Sequence, residues 1–95
     1  VTDTIKAPDI LKTAVKHMEE RAREYDQPQG ERSMERTVNM FNDLTGQTMS
    51  EEDGWVFMAL LKIVRSQQGP FKADSYEDCA AYMALAAETA SVERG

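Results

Sequence analysis

Apolar residues recur at three- and four-residue spacings in four successive stretches of this 95-residue chain, and no stretch alternates as a strand would. That pattern predicts four amphipathic helices. The first carries Ile10, Leu11, Ala14, Val15, Met18, Ala22 and Tyr25 on one face, with Pro8 in its opening turn, where a missing N–H costs nothing. Pro28 and Gly30 interrupt it. Ser33 is a candidate cap for a second helix, with Met34, Val38, Phe41 and Leu44 as its apolar face and Gly46 as its terminator. Ser50 followed by Glu51, Glu52 and Asp53 opens a third. Its residues Val56, Phe57, Ala59, Leu60, Ile63 and Val64 cover more than half the circumference, which predicts the most buried helix of the domain. Gly69-Pro70 ends it. Asp74 or Ser75 is expected to cap the fourth helix, whose core face is Tyr76, Cys79, Ala80, Met83, Ala86, Ala87 and Ala90.

The expected architecture is a compact all-α, four-helix domain over residues 8–90, with an arm at 1–7 and a frayed tail at 91–95. A chain of this size has little interior, and Ala81, Tyr82 and Leu85 form a second apolar strip on the fourth helix. Together these predict a helical homodimer.

Charge narrows the partners. Seventeen acids against eleven Lys and Arg give a net charge of -6, which repels bare nucleic acid and anionic membranes. No apolar run is long enough to span a bilayer, and Val1 to Asp9 lack the pattern of a signal peptide. One cysteine excludes an internal disulfide and a multi-thiolate zinc site. The reading is an acidic cytoplasmic protein in which Cys79 is a buried thiol rather than a nucleophile.

Projection of each helix at 100° per residue isolates the candidate chemistry. Glu51, Trp55, Met58, Lys62 and Arg65 share one stripe of the third helix. Two cations one turn apart beside an indole suit phosphate binding with base stacking on Trp55, and they equally suit a solvated face with aliphatic stems lying over the ring. Asp74 and Asp78, one turn apart on the fourth helix, can share Mg²⁺ or pair with Lys62 and Arg65. Glu20 and Glu24 project outward beside Lys16 and Arg23, so Glu19 is the helix-one acid expected to look inward, with His17 at the opposite edge. The polar loop from Tyr25 to Ser33 either holds an anion through Arg32 and Ser33 or merely connects two helices.

Several of these residues stand in recognisable company. Ala22 to Pro28, Phe41-Asn42, Leu60 to Arg65 and Asp74 to Ala86 together resemble a family of small all-helical phage and prophage proteins of unknown function. That family carries a Tyr-Gly-Asp-Pro-like loop, a Leu-Leu-Lys-x-x-Arg helix and an Asp-x-x-x-Asp-x-x-x-Tyr-x-x-Leu helix. It is similar, more remotely, to the MazG-like nucleoside triphosphate pyrophosphohydrolases, all-α enzymes that bind Mg²⁺ through acidic pairs. The resemblance implies metal binding by Asp74 and Asp78 and phosphate binding by Lys62 and Arg65. The chain departs from the enzymes at the first acidic pair, because Glu20 and Glu24 are spaced by four rather than three.

Two functions follow as expectations. One is a phage protein that binds or hydrolyses nucleotides, with Mg²⁺ on Asp74 and Asp78, Glu51 orienting water, and Lys62 and Arg65 neutralising developing charge. The other is a non-catalytic phage module that binds and inhibits a host protein, or sequesters a nucleotide signal, in the host bacterial cytoplasm.

Overall fold

Four helices form where the apolar periodicity places them. The structure, a computed structural model, describes residues 4–25 and 33–95. Helix α1 spans Ala7–Tyr25, α2 Ser33–Thr45, α3 Glu51–Ser66 and α4 Ala73–Arg94, and the described residues contain no strand. The fold is all-α.

Local chemistry sets most of the boundaries. Gly46 takes φ 76°, the left-handed conformation that ends α2, and its N–H donates to the Asn42 carbonyl at 2.8 Å. The Asn42 side chain then clamps the following turn, donating to the Met49 carbonyl at 2.8 Å and accepting from the Met49 N–H at 2.9 Å. Ser50 and Asp53 form a reciprocal capping box, each side chain accepting the other's backbone N–H at 3.0 Å.

Helix α4 departs from expectation at both ends. Its N-cap is Lys72, with no side-chain cap, so Asp74 and Ser75 lie inside the first turn instead of capping it. Asp74 still complements the positive end of the helix dipole. The segment expected to fray is helical through Arg94, whose guanidinium reaches Glu52 on α3 at 2.6 Å.

The contacts Lys62–Asp78, Trp55–Tyr82 and Glu52–Arg94 show that α3 and α4 run antiparallel. This hairpin is the main helix pair. Helix α1 packs on α4 and α2 packs on α3, and among the described residues no other pair of helices brings its backbones close together. The order in space is α1, α4, α3, α2, an open row rather than a closed ring of four. Its Cα radius of gyration is 14.9 Å, against about 12–13 Å for a near-spherical domain of this length.

Burial corrects the expected orientation of three helices. On α3, Gly54, Trp55 and Ala59 are buried, while Phe57, Leu60, Ile63 and Val64, assigned from periodicity to the core, are exposed. The physical reason is the α3–α4 pairing, which runs along the stripe of Trp55 and Lys62 and turns the aliphatic stripe outward. The most deeply buried described residue, Ala59, lies on α3, and Ala86 of α4 comes next, so the burial expected of α3 is shared with α4. On α4, Ala81, Tyr82 and Leu85, expected to face a second copy, are half-buried, and Tyr82 lies against α3. Helix α1 buries Ala14 and half-buries Ile10 and His17, leaving Leu11 and Val15 exposed. Glu19 is consequently exposed and Glu20 half-buried, the reverse of the expected order. No described helix is long and apolar enough to cross a membrane.

Candidate functional site at the α3–α4 junction

The polar stripe of α3 meets the acidic face of α4 through one direct ion pair. Lys62 Nζ lies 3.0 Å from Asp78 Oδ2, with the two side chains 16% and 26% exposed. Half-burial makes this pair stronger than a surface bridge, because less water screens it and both groups depend on each other for solvation. Two turns earlier on α3, Trp55 is only 3% exposed, and its ring stacks on Tyr82 at 5.9 Å between centroids and 22° between planes. The indole is thus already occupied on one face by a protein ring.

The remaining candidates spread out. Arg65 and Asp74 are exposed and form no ion pair among the described residues. Glu51 is half-buried but eleven residues from Lys62, about 16 Å along the helix axis. It lines a separate acidic cleft of about 580 Å³ with Glu35, Glu88 and Glu93. Among the described residues no three acidic, His or Cys side chains converge on a position for a metal ion. Asp74 and Asp78 therefore stand without a third acid, and Asp78 already holds an ammonium group. The loop residue Arg32 lies outside the described residues.

Beside Lys62 a small cleft of about 390 Å³ opens between the helices, lined by Ser66, Ser75, Tyr76 and Cys79 among others. It sits at the start of α4, where no side chain caps the first N–H groups. Lys62 uses one acceptor here and has further donors, so an anion could enter beside it.

Two residues escaped the sequence reading. Gly54, inside α3, is buried where α2 crosses: a Cβ there would stand 2.8 Å from Val38 Cγ1 and closer still to the Met34 sulfur. A glycine inside a helical pattern was the available signal. Glu77 is the buried charged residue among those described, 9% exposed on the side of α4 turned away from Tyr82. Its placement in the predicted helix gave no such warning.

No curated protein matches the chain, and no solved structure matches it. A family model described as Domain of unknown function (DUF6378) matches residues 9–90, all four helices and nearly the whole α3–α4 hairpin, and the chain belongs to that family.

Proposed function

We propose that this chain is a non-catalytic, phage-encoded helical module that acts by binding protein surfaces in the host bacterial cytoplasm. The orientation of α3 carries the reading. Of its polar stripe, Lys62 and Trp55 are engaged inside the hairpin by Asp78 and Tyr82 while Arg65 stays exposed, and its aliphatic stripe is outside. A nucleotide site needs the opposite arrangement, with cations and indole open to ligand. Exposed apolar residues at helical spacing suit protein docking, where apolar area drives association. The phage setting rests on the sequence resemblance.

A second reading draws support from the cleft beside Lys62. Lys62 lines that cleft and would meet the phosphates of a nucleotide, while Arg65, Asp74 and Asp78 lie outside its lining and would have to reach in to add charge or recruit Mg²⁺. Glu51 is too distant to orient water in that arrangement.

Thermal unfolding with a panel of nucleoside triphosphates, with and without Mg²⁺, separates the two, alongside pyrophosphate release and binding of an apolar dye to the folded protein. The module reading expects dye binding, no Mg²⁺-dependent shift and no release. Mg²⁺-dependent release that disappears in Asp78→Ala, with the helical spectrum retained, would overturn it.

A further inference from the structure

We propose that α1 is a displaceable strap: it lifts off α4 as a unit while the α3–α4 hairpin stays folded, and the carboxylate of Glu77 beneath it opposes its docking. This motion belongs to the fold and stands under either reading of the function.

Helix α1 lies at the end of the open row, and α4 is the one described helix whose backbone it approaches. Ala14 is its buried side chain among those described, with Ile10, Thr13, His17 and Met18 half-buried and Leu11 and Val15 exposed. No described side chain of α1 forms a hydrogen bond or ion pair with another helix. Helix α2, at the other end of the row, is tied in more firmly. The hydrogen bonds between Asn42 and Met49 hold its exit, and Val38 seats closely over Gly54.

The contact between α1 and α4 is flawed in two places. Glu77 lies about 140° round α4 from Tyr82, and α1 is the described helix packed on that side. Its carboxylate is buried with no hydrogen bond or ion pair among the described residues. Docking of α1 therefore strips water from a charge and gives it no partner, whereas undocking hydrates it again. Near the start of both helices, Ile5, Ile10 and Leu11 face Phe71 and Tyr76 across an unfilled cleft of about 640 Å³. Side chains lining such a gap forgo the contacts that would hold the two helices together. A permanent core is close-packed and pairs its charges, and this contact does neither.

A lone helix such as α1, 19 residues long, draws most of its stability from packing, so its N–H groups lose protection when it leaves. The hairpin keeps Trp55–Tyr82, Lys62–Asp78 and Glu52–Arg94, none of which involves α1. What the motion uncovers is Glu77, set among the small residues Ala73, Ala80 and Ala81 of α4.

Native-state hydrogen exchange of the full chain, read segment by segment, tests the strap. Amides around Ala14 are expected to exchange faster than the slowest amides of α3 and α4, and with a weaker dependence on urea. Glu77→Met removes the charge at similar length and is expected to slow exchange in α1 about five- to thirtyfold. Ala59→Gly weakens the hairpin at its buried centre. It is expected to speed the slowest amides of α3 and α4 at least about fivefold and to leave α1 unchanged. Equal acceleration of α1 and the hairpin in Ala59→Gly would show that α1 opens only with the whole chain, and would overturn the strap. Unchanged or faster exchange of α1 in Glu77→Met would overturn the assignment of Glu77 as the group that opposes docking.

Discussion

Trp55 of α3 and Tyr82 of α4 stack at 5.9 Å, a ring pair that joins the two helices of the hairpin. Among the described residues no large side chain is completely buried, and the buried apolar residues besides Trp55 are Ala14, Val38, Ala59 and Ala86. Trp55 is therefore the largest buried apolar side chain among the described residues. Trp55→Ala is expected to cost about 3–5 kcal/mol, enough to unfold a domain of this size. Tyr82→Phe keeps the ring and is expected to shift stability by no more than about 0.5 kcal/mol in urea titration. Trp55 is the single tryptophan, so its fluorescence reports on the site alone. Emission should be blue-shifted and weakly quenched by acrylamide, and nucleotides should leave it unchanged. Strong quenching by purine nucleotides would show that the indole is open to stacking.

The Lys62–Asp78 pair makes a second test, because the same residues are read as a structural bridge or as half of an anion site. Between the limits for exposed and fully buried pairs, removal of either partner is expected to cost about 1–2 kcal/mol. A double-mutant cycle of Lys62→Met and Asp78→Asn should show a coupling near 1 kcal/mol, and high salt should reduce it only partly. Additive losses would mean that the 3.0 Å contact contributes nothing to the fold.

Signals confined to a few residues were legible in the sequence. Ser50 and Asp53 are three apart, so their capping box depends on neither packing nor partners, and Gly46 marks the end of α2 for the same reason. The pairing of Lys62 with Asp78 was among the alternatives that directional reasoning raised, since a short turn joins their helices. What periodicity could not supply is which covering a face receives. It identified Phe57, Leu60 and Val64 as an apolar arc, and an arc looks the same whether its cover comes from the same chain or another. Helix α4 hid its two contacts for a related reason: apolar residues lie all round it because it packs against both α3 and α1. Glu51 shares a stripe with Lys62 on a helical projection, yet a projection discards the distance along the axis that separates them.

Gly54 fixes how closely α2 approaches α3. An Ala side chain would meet Val38 and Met34 inside van der Waals distance, although Met34 can swing aside. Alanine also gains about 1 kcal/mol in helix propensity over glycine, so Gly54→Ala should fall within about 1 kcal/mol of wild type. Gly54→Val recovers less helix propensity than alanine and adds three carbons to the crossing. It is expected to cost about 2–3 kcal/mol and to raise hydrogen exchange in α2 more than in α4. Uniform loss of protection across all four helices would show that α2 and the hairpin unfold as one unit.

Glu77 is the clearest local conflict between sequence and fold. Its side chain is buried on the side of α4 away from α3, and it has no hydrogen bond or ion pair among the described residues. A carboxylate taken from water without a partner opposes folding, and the helix would be better served by a neutral side chain of similar length. Glu77→Gln and Glu77→Met are therefore expected to stabilise the chain, methionine the more, by about 1–2 kcal/mol. For a domain of this length that corresponds to a rise in Tm of roughly 4–15 °C. The measurement is thermal unfolding at neutral pH, with sedimentation run in parallel because a change in association would shift Tm by mass action. Destabilisation by both substitutions at unchanged association would show that the Glu77 carboxylate is held by a favourable interaction, and the position would then join Lys62 and Asp78 as part of the polar framework of α4.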